Sequence, residues 1–209
     1  MLGLRVTVPI ACFRKGLARE YLETEILPPP STCYGFLLSL VGETDRRKHI
    51  GVCVTAGLLY KPDLSVVLRT VWRVKKTPLG SSGNTRPDYQ QLLSNVRLLI
   101  WLDSTGESSE ASLESRVLTA MNHPEQISRF GGLSLGESTH LVDEVCLLTD
   151  EELSSEESVE QFVTSERGQM TLPVWVDHVG SAGTRYATGN LEKNELRPPA
   201  LDRMPVISP

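Results

Sequence analysis

Cysteine, histidine and aromatic residues are scarce in this 209-residue chain, and each scarcity excludes something. The four cysteines, Cys12, Cys33, Cys53 and Cys146, stand far apart with no C-x-x-C pair. That excludes the usual zinc spacings and a dense disulfide framework, and it predicts reduced, mostly buried thiols in a cytoplasmic protein. The four histidines, His49, His123, His140 and His178, are isolated from one another, and a structural role is expected for each. Asp143, Glu144 and Asp177 make no metal signature, so no metal or other cofactor is expected. No apolar run approaches the roughly 18 residues of a membrane span. A strand pattern begins within a few residues of Met1, so neither a signal peptide nor a membrane contact is expected. The glycine-rich stretch 131–136 lacks the Gly-Lys-Ser/Thr ending of a P-loop, which argues against nucleotide hydrolysis.

Charge is present but unevenly placed. The net value of −5 conceals a division. Residues 1–101 hold 14 Lys and Arg against 7 Asp and Glu, net +7, whereas residues 102–209 hold 7 against 19, net −12. A basic half suits a polyanion, and an acidic half suits solvent or a basic partner.

The chain is organised around residues 27–42. Pro28, Pro29 and Pro30 remove three backbone donors and fix φ, so they make a stiff arm. Ser31 or Thr32 can then cap a helix whose apolar face is Tyr34, Leu37, Leu38 and Val41, with Gly42 as its stop. Such an arm holds helix-terminal amides open to a ligand.

Around this helix the pattern predicts strands over 2–13, 50–60, 64–74 and 96–102. Arg69 and Arg73 share one face of the third at period two, with Lys75 following. Residues 75–87, polar and rich in Gly and Ser, read as a mobile excursion. Residues 88–93 bring the chain back. A second helix, capped by Ser108 or Ser109, has Leu113, Val117, Leu118 and Met121 on its inner face and ends at Pro124. A glycine-rich loop over 129–136 precedes a strand over 141–148. Residues 150–166 read as an acidic solvated segment, 172–179 as a last strand, 180–189 as a second glycine-rich loop, and the tail from Arg197 as irregular. The order compresses to βαββαβ. The predicted fold class is therefore α+β: a ferredoxin-like, RRM-like core with a thumb β-hairpin and a β-rich C-terminal extension. Residues 1–148 form the core, with the thumb inserted around 76–92, and residues 149–209 pack on the same domain.

Three stretches carry a resemblance. Leu-Pro-Pro-Pro-Ser-Thr-Cys-Tyr-Gly-Phe-Leu at 27–37, Thr-Arg-Pro-Asp-Tyr at 85–89 and Arg-Phe-Gly-Gly-Leu-Ser-Leu-Gly-Glu-Ser at 129–138 resemble motifs of CRISPR-associated protein family five. That family belongs to the RAMP superfamily and holds the 5′ handle of the guide RNA in type I Cascade. The resemblance implies a non-catalytic subunit that binds and caps the crRNA handle. Its implied partners are the Cascade backbone subunit, the large PAM-reading subunit and target DNA near the PAM, in a prokaryotic cytoplasm, for antiviral defence or guided transposition. One branch of the family cuts the guide precursor, so a metal-independent endoribonuclease is the alternative.

A single-stranded, kinked handle needs cations for phosphate, close backbone approach, and planar or polar groups for bases. Arg14, Lys15 and Arg19 supply cations beside the proline arm, as do Arg73, Lys75, Lys76 and Arg86 on the thumb and Arg129 at the glycine loop. Gly131, Gly132 and Gly136 let backbone approach phosphate. Ser31 and Thr32 offer hydroxyls at the helix start, and Tyr34, Trp72 and Tyr89 are aromatic candidates for stacking.

Overall fold

Apolar residues at every second position from Leu4 build β1 (Leu2–Ala11), with Leu4, Val6 and Val8 buried on one face. The computed structural model describes residues 1–16, 21–72, 78, 80–154 and 157–209. After β1 come the short strands β2 (Phe13–Arg14), β3 (Tyr21–Leu22) and β4 (Thr24–Glu25), then α1 (Pro30–Leu40). The strands β5 (Cys53–Leu58), β6 (Asp63–Trp72) and β7 (Thr85–Asp103) lead to α2 (Leu113–Asn122). The remainder is β8 (Glu144–Leu147), α3 (Asp150–Leu153), β9 (Ser158–Thr164), β10 (Met170–Trp175) and β11 (Arg185–Glu195). The result is a mixed α/β fold with few helices and one large sheet, ordered β10–β11–β9–β5–β7–β1–β8. All of these neighbours run antiparallel. Among the described residues, no helix is long and apolar enough to cross a membrane.

One face of the sheet carries the main core. Leu4, Val6, Val54, Ala56, Leu98 and Ile100 pack there with Cys33, Phe36 and Leu37 of α1 and with Leu113 and Val117 of α2. The opposite face is also covered. Leu99 and Trp101 lie under Leu196 and Met204, and the indole N–H of Trp101 donates to Gln161 at 3.0 Å. This is the face through which an RRM-like sheet would stack bases. Here the C-terminal residues occupy its centre.

Several expected elements differ. The first helix begins at Pro30, with Pro29 in the capping position, so neither Ser31 nor Thr32 is the N-cap. Pro30 suits the first helical position because its missing N–H would have had no intrahelical partner. The Pro29 carbonyl accepts from Thr32 N and Cys33 N instead, at 2.9 and 3.0 Å. Gly42 does stop the helix, at φ +67°. The second helix is capped by Ser112, whose hydroxyl accepts from Ser115 N, rather than by Ser108 or Ser109; Leu118 is exposed.

The return segment 88–93 and the strand after it are one continuous β7, with Asn95 taking φ +58° within it. Its first half pairs with β6, from Trp72↔Thr85 to Asp63↔Ser94, and makes a hairpin arm. Its second half pairs with β1 and β5 in the core. Two environments on one strand explain why its pattern reads as two elements. The acidic segment contains β9, where Val159, Phe162 and Val163 are buried. Half of the second glycine-rich loop is β11; Gly189 sits so tightly against β9 that a Cβ there would lie 2.1 Å from the Val163 carbonyl oxygen. The tail from Arg197 delivers Met204 and Ile207 to the interior.

Cys12, Cys33, Cys53 and Cys146 are all free; the first three are buried and Cys146 is exposed.

Candidate nucleic-acid interface

The first turn of α1, the end of the glycine-rich loop and the β10–β11 turn enclose one groove. A cleft of about 520 Å³ is lined by Arg14, Ser31, Thr32, Gly136 and Tyr186. A second of about 380 Å³ shares Ser31, Thr32, Gly136 and Val176 with it and adds Tyr34, Arg46, Trp175 and His178. Because the helix starts at least two residues earlier than its hydroxyls suggest, Ser31 and Thr32 are not used as caps. Both line the groove.

The groove has built walls. The Arg46 guanidinium lies 3.8 Å over the Trp175 ring and donates to the Val176 carbonyl at 2.7 Å. The Tyr34 hydroxyl donates to the Arg46 carbonyl at 2.9 Å. Burial pushes the Tyr34 phenol up to about 12, and only 3% of the residue is exposed. Tyr34 therefore braces the wall and presents little ring surface for stacking. The Asp177 carboxylate accepts from Val179 N, Gly180 N and Gly183 N at 3.0–3.3 Å, which fixes the β10–β11 turn and holds its carboxyl below the usual range.

Of the expected contact residues, the structure brings Arg14, Ser31, Thr32 and Tyr34 to this groove. Lys15 is next to Arg14 and pairs with Glu23 at 4.0 Å. Of the three loop glycines expected to approach phosphate, Gly136 lines the groove, whereas Gly131 and Gly132 sit outside its lining at an exposed tip with Arg129 and Phe130. Gly136 needs its conformation, φ +99°, because a Cβ would meet the Cys12 carbonyl oxygen at 2.6 Å. Arg86 and Tyr89 lie on the hairpin arm, where Arg86 faces Asp88 at 3.6 Å and Tyr89 meets Tyr21 edge-on at 6.4 Å. Arg19, Arg73, Lys75 and Lys76 lie outside the described residues. The arm is tied to the loop through Glu137, which accepts from Gln90 Nε2 at 3.0 Å and pairs with Arg69 at 3.7 Å.

Sequence reasoning missed Trp175, His178 and Glu25 as groove residues. The basic run 46–48 was a usable signal for Arg46. The other three arrive through contacts between distant segments that no local pattern reveals.

The histidines are placed as scaffold or at the surface. His49 is fully buried, with Nδ1 2.5 Å from Glu107 and Nε2 2.8 Å from Arg116. Cys12 N donates to His140 Nδ1 at 3.1 Å. His123 and His178 are exposed. Among the described residues, no group of three or more His, Cys, Asp or Glu could hold a metal ion.

Glu43 anchors the segment behind the groove. Lys48 at 2.8 Å, the backbone N–H of Asp45 at 3.0 Å and Arg116 at 2.6 Å hold its carboxyl down to about 2. The folded state thus keeps Glu43 ionised below the ordinary carboxylate range. Its contribution to stability is complete above about pH 5 and is lost as pH falls toward about 2. Glu43→Gln is expected to flatten the acid limb of a stability–pH curve measured by urea denaturation, while an unchanged limb would contradict this.

No family model matches the chain. A protein described as CRISPR-associated protein Cas5, from Myxococcus xanthus (strain DK1622), is 52% identical over 210 residues, covering 99% of this chain and 97% of the relative. Among solved structures, a chain of a CRISPR RNA-guided surveillance complex superposes with a TM-score of 0.63 at 14% identity, over 93% of this chain and 89% of its own. A crystal structure of a Cas protein gives a TM-score of 0.54 at 13% identity, over 93% and 94% of the two chains.

Proposed function

The chain belongs to the Cas5 family of CRISPR-associated proteins, and on that premise we propose that it is the non-catalytic subunit that grips the 5′ handle of the guide RNA in a type I Cascade. The observation that carries this reading is the groove on which Arg46, Ser31, Thr32 and Gly136 converge. It offers a cation, two hydroxyls and close backbone approach side by side, which is what an unpaired RNA segment requires. The core is read as ferredoxin-like. The strand order β8–β1–β7–β5, with α1 and α2 as the two crossovers, supports that reading. The hairpin arm of β6 and β7 is the thumb, which clamps the RNA between this subunit and a neighbouring backbone subunit. The large PAM-reading subunit docks on the assembled particle, in the cytoplasm.

The endoribonuclease alternative receives less support. Cleavage through the 2′-hydroxyl needs a base that can reach it. His49 is sealed in the interior and His140 already accepts from the backbone, so among the histidines cleavage in the groove would fall to His178, which lines it.

Co-expression with the other subunits of its locus, followed by isolation of the bound RNA, tests the proposal. A guide carrying an intact 5′ handle is expected. Lys75→Ala with Lys76→Ala is expected to weaken handle binding and to make log K against log salt shallower by about 1.4, at about 0.7 per lost single-strand phosphate contact. Unchanged affinity and slope would remove the thumb cations from the account. Metal-independent cutting of repeat RNA by the pure chain would overturn the non-catalytic reading.

A further inference from the structure

Beyond Trp175 the groove opens into a third lobe of about 460 Å³, whose ionisable side chains are Arg46, Arg47, His178, Arg185 and Asp177, with the terminal residue Pro209 also in the lining. It shares Arg46, Trp175, Val176 and His178 with the middle of the groove. We infer that this lobe is a phosphate site for the RNA strand lying in the groove, an inference that rests on the RNA-binding reading above.

The lobe is organised as well as charged. Arg46 is held over the Trp175 ring and uses one guanidinium nitrogen on the Val176 carbonyl. A guanidinium has five N–H donors in a planar fork, so a locked Arg46 keeps donors for a second acceptor. Among the described residues, the hydrogen bonds of Arg185 go to the carbonyls of Ala182 and Thr184, at the limiting distance of 3.5 Å. Arg47 is exposed beside it in the lining. The carboxylate in the lobe, Asp177, directs both oxygens at backbone N–H groups of its own turn. Three arginines thus face one side-chain carboxylate that is already occupied, and the terminal carboxylate of Pro209 leaves the lobe net positive.

The neighbouring cleft has the opposite balance. Its described lining sets Glu25, Glu137 and Asp177 against Arg14. Burial pushes the Glu25 carboxyl up, with Lys15 working against the shift. A phosphodiester chain would meet repulsion there, whereas a base or ribose with N–H and O–H donors would not. The strand therefore lays its phosphates on the Arg46–Arg47–Arg185 side and turns its sugars and bases toward the cleft. Sequence position conceals this, because Arg185 and His178 belong to the half of the chain with net charge −12.

The test uses the full chain and a labelled single-stranded RNA of the handle sequence encoded at its own locus, with anisotropy read across a salt series. Arg47→Ala with Arg185→Ala is expected to weaken binding about tenfold at low salt and to make the log–log slope shallower by about 1.4. Arg203→Ala, whose guanidinium is paired with Glu192, is expected to leave both unchanged. A double variant with the wild-type slope and affinity would overturn the phosphate site alone. So would a loss confined to duplex DNA offered as a separate probe. Failure of the wild-type chain to bind the RNA would remove the RNA-binding reading and this inference together.

Discussion

Replacing Glu107 by alanine is expected to cost about 3–5 kcal/mol of stability, the range for breaking a buried charged pair from one side. The Glu107 side chain is 2% exposed and serves two elements at once. One oxygen accepts from His49 Nδ1–H at 2.5 Å, and the other accepts from Leu113 N, at the start of α2, at 2.6 Å. Arg116 can only donate, so His49 Nε2 must be the acceptor of its 2.8 Å contact, which places the imidazole proton on Nδ1. The sequence of groups is carboxylate, neutral imidazole, guanidinium and the carboxylate of Glu43, with Lys48 closing the charge balance. Alanine at 107 would leave His49 Nδ1 and a helix-terminal N–H unmet in the interior. For a chain of this size the loss corresponds to roughly 6–20 °C in Tm, readable by thermal denaturation. The exposed Arg203–Glu192 pair is the control: its removal should cost no more than about 1 kcal/mol. A Glu107→Ala loss of that same small size would contradict the account of the network.

This network also shows what the sequence made legible. A structural role for His49 is readable from its isolation, but its partners are not. Glu107 is 58 residues away and Arg116 is 67, and nothing in local periodicity links them. The same division holds across the fold. Period-two alternation identifies β1, and the proline arm identifies α1, because each signal is local. β9 and β11 escape notice because their glutamates and glycines read as solvent-facing loop. Their burial comes from β5 and from each other.

The groove is legible in the same uneven way. Arg14, Ser31 and Thr32 are found because they flank the proline arm. Arg46 and Trp175 become one wall only when the segment after α1 folds against the end of β10, 129 residues further along. The glycine-rich loop is recognisable as a motif, yet composition cannot distinguish the glycine pressed against backbone from those at an open tip.

That distinction gives the second large effect. Gly136→Ala is expected to lower stability by about 2–4 kcal/mol, combining positive-φ strain of about 1–3 kcal/mol with a steric clash, and to reduce handle-RNA affinity at least about tenfold, or 1.4 kcal/mol. The clash is with backbone, the Cys12 carbonyl oxygen at 2.6 Å, so no side-chain rotation relieves it. The loop must move away from the β1–β2 junction. Ser134 and Gly136 line the groove, and Glu137 holds Gln90 of the hairpin arm, so the displacement reaches both the cradle and the arm. Gly131→Ala supplies the comparison. Gly131 also has positive φ, +78°, but a Cβ there meets nothing within 4 Å. It should bear only the strain, about 1 kcal/mol, and leave RNA affinity nearly intact. Denaturation curves and RNA titrations on the two variants separate close approach from backbone strain. Equal effects at 131 and 136 would mean that the approach of the loop to Cys12 does not shape the groove.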